Sequence, residues 1–398
     1  MDEGALKVLF TKSLRVVVAL LLMRTVYDLT LTLNLAANLP GALAALTLLA
    51  LSLALLAEAL GGLDLTKLTR LLAAAAVALF MFSVALSSPG SPRYGSDAMV
   101  FSRYAVDLLL SGENPYAHSM KPALTLYPID YTWVTQTLEG GLVASYSYPA
   151  LSFLIYAPAV ALGATDLGFV MLGFFVLTAV LLVLETPREY RLLPVLILLL
   201  DLSIPALSYA GTHDSVWLLF LLLSMKFFNP SSARGLGLSA VMLGLSMAVK
   251  QTPWLVLPFI ALWLLKEAGW RRAAGYVALA SASFLAPNIP FILWSPLDWA
   301  EGVLTPLAQP LIPVGVGLVS LVYGGYVYLP RFFFAAATAA AAVAMLALYW
   351  LNLDRLKLLA WVAPPFILFF AWRSLYSYFV FFIPVAYYAV LLRVKGRV

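Results

Sequence analysis

Few side chains in this sequence can do acid–base or ionic chemistry, and they gather at a handful of places. Asp97 follows Gly95-Ser96 at the head of a helix-like stretch. A carboxylate there can cap the helix or take a proton from a hydroxyl within hydrogen-bond reach. Arg103 and Asp107 lie four apart on the same stretch, the spacing at which helical side chains pair. Lys250 ends an apolar run in AVKQTPWLVLP. It can hold an anion or snorkel to a membrane surface. Arg373 opens the last apolar run beside Tyr376 and Tyr378. It can hold a phosphate through paired hydrogen bonds or anchor a helix end. His213-Asp214 separates two apolar runs. An ionisable pair at membrane depth is functional by default, whereas in a solvated turn Asp214 would cap the next helix. Arg24 and Asp28 sit four apart within the first apolar run, in the less favourable order for a pair.

Other chemistries are excluded by composition. The chain has no cysteine, so disulfides, thiolate metal sites and a cysteine nucleophile are ruled out. With two histidines, His118 and His213, it cannot build a multi-histidine metal site. The net charge of +5 contains no basic run long enough for nucleic acid. It suits the Lys/Arg excess of cytoplasmic loops.

The elements that must position these residues are membrane helices. Of 398 residues, 63% are hydrophobic and 11% charged, against about 25% charged in soluble domains. Apolar stretches fall near 14–35, 41–62, 69–88, 147–163, 166–184, 192–209, 214–229, 235–249, 253–267, 272–293, 311–324, 331–351, 356–371 and 374–393. The lengths predict an all-α polytopic bundle of about 12–14 spans, with some runs short enough to be paired half-helices. The N-terminal run has no small-residue cleavage site and reads as a retained span. Lys67 with Arg70, Lys226 with Arg234, Arg271 with Arg272, and the C-terminal Arg393, Lys395 and Arg397 all suit the cytoplasmic side. That orientation makes 89–146 extracytoplasmic. Arg188 and Arg191 conflict with two full crossings between 147 and 184, so 147–163, with Pro149 and Pro158, is expected to be tilted or re-entrant. Three blocks follow: spans in 1–88, a polar loop in 89–146, and a helical core in 147–398.

The loop opens with SSPGSPRYGSD. Phe101, Tyr104, Ala105 and Leu108 then recur at helical spacing, predicting an amphipathic helix that lies on the membrane surface. Gly112 stops it, and Asn114-Pro115 turns the chain. Tyr116, Tyr127, Tyr131, Trp133, Tyr146 and Tyr148 follow, suited to an interface or to stacking on a sugar. Glu113 and His118 flank the turn and would line an acceptor side or a solvated surface.

GSDAMVFSRYAVDLLLSGENPY resembles the first-loop signature of GT-C glycosyltransferases. More narrowly, it resembles the polyprenyl-phosphate-mannose-dependent mannosyltransferases related to the mycobacterial phosphatidylinositol-mannoside enzyme. The matching positions are Asp97, Tyr104, Leu109, Leu110, Gly112, Asn114, Pro115 and Tyr116. SYPALSFLIYAPAVALG, GTHDSVWLLFLLLS and AVKQTPWLVLP are similar to later family segments, and the likeness runs from about 94 to 390. The sequence departs from the family in having three spans before the loop and no histidine in its late loops.

The resemblance implies a GT-C-like fold and an inverting transfer on the extracytoplasmic face. The donor would be a polyprenyl- or dolichyl-phosphate sugar, with mannose favoured, and the acceptor a lipid, glycan or protein. Asp97 would be the base. Arg103, Lys250, Arg373, Tyr376, Tyr378, His213 and Asp214 would meet the donor phosphate or sugar. Glu113, Asn114, Tyr116, His118, Tyr146 and Tyr148 would face the acceptor. No cofactor or divalent metal is expected beyond the lipid-linked donor, and membrane lipids are the expected surroundings. The absence of a P-loop or dinucleotide fingerprint fits such a donor. The rival reading is a transporter or lipid flippase, built on broken spans. No internal repeat supports it, and an inactive membrane scaffold is a third class.

Overall fold

The computed structural model describes residues 3–27, 38–61, 64–86, 94–201 and 203–396. Asp28 and Arg397 lie outside them. The chain is mostly helical and divides into two compact units: Met1–Ser91 with Ala179–Pro205, and Pro92–Thr178 with Ala206–Val398. This division differs from the three blocks read from the sequence. Residues 179–205 group with the N-terminal helices, and no boundary falls at 146.

The first unit is built from three long helices: α1 (Glu3–Tyr27), α2 (Leu39–Gly61) and α3 (Thr66–Leu86). Helix α2 packs on both others, and the shorter Leu192–Leu200 packs on α1 and α3. Val18, Leu22, Leu48, Leu51, Leu55, Phe80 and Leu196 form the core. Buried Ala19, Ala44, Ala73 and Ala76 let the backbones approach closely.

The second unit starts with α4 (Asp97–Leu110) and holds most of α5 (Gly168–Glu185). It continues with α6 (Asp214–Phe227), α7 (Ala233–Val249), α8 (Leu257–Ala268) and α9 (Trp270–Trp294). It ends with α10 (Arg331–Leu351), α11 (Leu359–Leu368) and α12 (Phe382–Val394). Helix α7 packs between α6 and α9, and α10 and α12 both pack on α11. Ser224, Ser239 and Tyr276 hydrogen-bond to one another across α6, α7 and α9.

Among the described residues, five helices are long and apolar enough to cross a membrane: α2, α5, α9, α10 and Ser377–Val394. A sixth is counted if Ser203–Tyr209 and Asp214–Phe227, bent by 112° at their junction, form one broken span.

Two expected spans take other forms. Residues 147–163 hold two short helices, Leu151–Leu154 and Ala157–Ala161, the second with Pro158 in its first turn. Residues 311–324 hold a two-residue strand, β1 (Val314–Gly315), and the short helix Ser320–Tyr323. Pro310, Pro313, Gly315 and Gly317 explain the second case, because Pro lacks a donor and Gly weakens a helix.

The amphipathic helix α4 forms where its pattern placed it. Ser96 caps it by accepting from the Met99 N–H at 3.4 Å. Glu113 N donates to Leu108 O and Gly112 N to Leu109 O, a Schellman closure at Gly112. The helix is buried more widely than a surface-lying helix needs. Met99, Val100, Ser102 and Val106 are enclosed along with Phe101, Ala105 and Leu108. Its N-terminus rests on Gly211, at φ +107, where a β-carbon would meet Met99 Cβ at 2.4 Å.

Candidate functional site

Asp97 is the first residue of α4, one place after the cap. Ser96, not Asp97, therefore holds the cap position, although the Asp97 carboxylate also accepts from a first-turn amide. Its Oδ1 accepts from Ala98 N and its Oδ2 from Thr135 N, both at 2.8 Å. Both donors are main-chain amides, so the bonds orient the carboxylate without neutralising it.

Thr135 also reaches Arg373, with Nη2 3.5 Å from its Oγ1. A short backbone ribbon brings these distant positions together. Ile312 N donates to Gln136 O and Leu138 N to Pro310 O, laying 136–138 along 310–312. Strand β1 then pairs in parallel with β2 (Arg373–Ser374), Val314 opposite Arg373 and Gly315 opposite Ser374. Gly315 has φ +140, and a β-carbon there would meet Ser374 O at 2.1 Å, so this contact needs glycine. Trp372 Nε1 donates to Leu311 O at 2.6 Å. Arg373 thus lies on a strand, not at the head of the last helix, which corrects the anchoring reading. Its Nη1 is buried with no partner among the described residues.

A second polar cluster lies in the same unit. Lys250 Nζ donates to both Asp214 oxygens, at 2.8 and 2.9 Å, and Trp217 Nε1 donates to Asp214 Oδ1 at 2.6 Å. Lys250 and Asp214 are both buried. Neither the snorkelling reading of Lys250 nor the solvated-turn reading of Asp214 survives. The Lys250 ammonium also stands 5.2 Å from the centre of the Tyr378 ring. His213 is held at both ring nitrogens, Nε2 3.1 Å from Ser102 Oγ and Nδ1 3.2 Å from Tyr156 OH.

Tyr148 relates the clusters. Its ring stands edge-on to His213 at 4.8 Å. Burial, then the nearby Asp97, Tyr378 and Asp214, push its hydroxyl well above the usual tyrosine range. Its carbonyl accepts from Tyr116 OH at 2.7 Å. Just beyond, Gln251 Nε2 donates to Ser147 O and Val303 O, both at 2.8 Å.

The other expected residues lie elsewhere or are otherwise engaged. Arg103 pairs with Asp107, donates to Ala164 O at 2.5 Å and faces the Tyr127 ring, so it clamps the loop rather than a donor. Tyr127 OH donates to the same Asp107. Tyr116 and Tyr146 are buried and packed edge-on with Phe153, so they cannot stack on a sugar. Asn114 is buried and caps the turn at Pro115–Ala117. Glu113 and His118 form a surface pair at 3.2 Å. Tyr376 is exposed. Thr135 and Gln251 were missed. Gln251 had a signal in its place beside Lys250, whereas Thr135 is an ordinary loop threonine.

No family model, curated protein or solved structure matches the chain.

Proposed function

We propose that this chain is a multi-pass membrane glycosyltransferase of the GT-C kind. It moves a sugar, with mannose favoured, from a polyprenyl or dolichyl phosphate to a lipid, glycan or protein acceptor on the extracytoplasmic face, within a bundle of about 12–14 spans. The acceptor O–H gives its proton to Asp97 while its oxygen attacks the anomeric carbon from the side opposite the phosphate. The carbon–oxygen bond to phosphate breaks, its electron pair leaves with the lipid phosphate, and the configuration inverts. Arg373 stabilises the charge on the departing phosphate, the electrostatic contribution that usually dominates such steps.

One observation carries the reading. A carboxylate without a cationic partner among the described residues and a guanidinium with a free buried nitrogen are both tied to Thr135. Lys250 and Asp214, already joined, act as the support behind Tyr148 and Tyr378.

The test is transfer from purified dolichyl-phosphate mannose to an extract of native membrane lipids and glycans. Asp97→Asn keeps the size of the side chain and one acceptor, which can stay toward Thr135 N while the bond from Ala98 N is lost, and deletes basicity. Rates falling about 10²–10⁴-fold, with donor binding and thermal stability retained, are expected for a general base. A variant within a few-fold of wild type sinks the assignment and moves the search to Asp214, Glu113 or Asp28.

One observation favours the transporter reading: the bent pair Ser203–Tyr209 and Asp214–Phe227, with a buried ion pair just past the bend. Wild type that turns over no polyprenyl-phosphate sugar, and moves one across vesicles, would put that reading first.

A further inference from the structure

From Gly302 to Pro330 the chain has no Asp, Glu, Lys or Arg. Over the last part of this stretch it exposes large apolar side chains. Tyr326 is 80% exposed and Tyr328 91%, with Leu321, Tyr323 and Val327 open as well, and Phe332, 80% exposed, follows Arg331 in the first turn of α10. A chargeless segment with its aromatic rings turned outward is costly in water. It is stable at the headgroup level of a bilayer, where a ring can bury its body and keep its hydroxyl wet.

The segment is firmly built. Tyr326 N and Val327 N both donate to Leu321 O, and Gly324 N donates to Ser320 O. Its outward rings therefore sit on a closed turn. It leads directly into α10, a 21-residue apolar helix whose membrane-length window is only 11% buried. The exposed rings thus continue a face that already suits lipid. Its other end is wired to the candidate site. Val316 N donates to Ser374 O and Leu318 N to Phe369 O, both at 2.8 Å, one and three residues past β1, which pairs with Arg373 and Ser374.

We propose that residues 316–333 are an interfacial seat, with Tyr323, Tyr326, Tyr328 and Phe332 immersed at the headgroup–acyl boundary of the lipid bilayer. The seat sets the depth of the Arg373 strand relative to the membrane surface. It does not depend on which reaction the site runs.

The chain has no native cysteine, so one engineered thiol reports one place. Full-length Tyr328→Cys is labelled with an environment-sensitive fluorophore and placed in lipid nanodiscs. Lys121→Cys, on an exposed loop, is the reference. The Tyr328→Cys label is expected to emit further to the blue. Lipids carrying a nitroxide near the glycerol should quench it several-fold more than aqueous iodide does, with the order reversed at Lys121→Cys. Iodide quenching equal to the reference would place the segment in water and overturn the proposal. Shielding from both quenchers would assign the face to a protein partner or a second copy of the chain, and would overturn it equally. Tyr326→Cys repeats the reading should Tyr328→Cys fail to fold.

Discussion

One ion pair from each unit, Arg15 with Glu58 and Lys250 with Asp214, shows how differently helices can hold charge. In the first, Arg15, 40% exposed, stands 3.6 Å from the buried Glu58, which also accepts from Leu65 N at a helix junction. In the second, Lys250 and Asp214 are enclosed and bonded through both carboxylate oxygens. The helices differ in step. The long helices α1, α2 and α3 of the first unit are regular, with Pro40 their one proline, while its 179–205 part carries Pro187, Pro194 and Pro205. The second has helices broken at Pro149, Pro158 and Pro253 and near Gly211. Unbroken helices bury apolar stripes and satisfy their backbone within themselves. Broken helices leave backbone and polar side chains to be satisfied inside, and candidate chemistry collects there.

The largest expected effect that would sharpen this contrast is on turnover. Asp97→Asn should lose about 10²–10⁴ in initial transfer rate, whereas Glu58→Gln in the first unit should stay within a few-fold of wild type. Equal losses would erase the distinction.

Next is stability, followed by thermal unfolding in detergent. Lys250→Met strands a buried carboxylate and should cost about 3–5 kcal/mol, much of it recovered by adding Asp214→Leu. Arg15→Met also removes the cation beside a buried carboxylate, but Arg15 is itself 40% exposed and Glu58 keeps its bond from Leu65 N, so it should cost less than Lys250→Met. A double variant no better than Lys250→Met alone would show that the pair's surroundings demand charge.

A smaller effect is pH-dependent. Burial, and then the Asp107 hydrogen bond, push the Tyr127 hydroxyl up to about 12 from 10. A folded-state value above the unfolded one stabilises the fold fully below the unfolded value, and that stability is lost as pH rises through the folded one. The unfolding midpoint should therefore fall between pH 10 and pH 12. Tyr127→Phe should flatten that part of the profile, and an unchanged slope would remove Tyr127 as its source.

Smallest is Glu113→Gln at the surface pair with His118. It should change stability by about 0.5 kcal/mol or less and leave transfer intact. A strong loss of transfer would return Glu113 to the acceptor side.

What could be read in advance follows the range of the interaction. The Arg103–Asp107 pair, the start of α4 at Asp97 and the stop at Gly112 are local, and spacing announces them. Lys250 and Asp214 were each noticed, but their union spans 36 residues and depends on how α6 meets α7. Thr135 becomes important only because 136–138 lies along 310–312, and loop composition does not encode that pairing. Hydropathy misread 311–324 because a short ribbon and an outward-facing turn can be as rich in Leu, Val and Ile as a span. The prolines and glycines there were the better guide.

The two short helices at Leu151–Leu154 and Ala157–Ala161 bear on how the chain is made. About 20 apolar residues are needed to cross the hydrocarbon core, so neither helix can enter a bilayer by itself during synthesis. Leu151–Leu154 packs on α4, α7 and α9, and Ala150 N donates to Asn288 Oδ1 at 2.9 Å. Its receiving surface is complete only after α9 has been translated, more than a hundred residues later. A chain truncated before α9 therefore lacks part of the surface on which this segment packs.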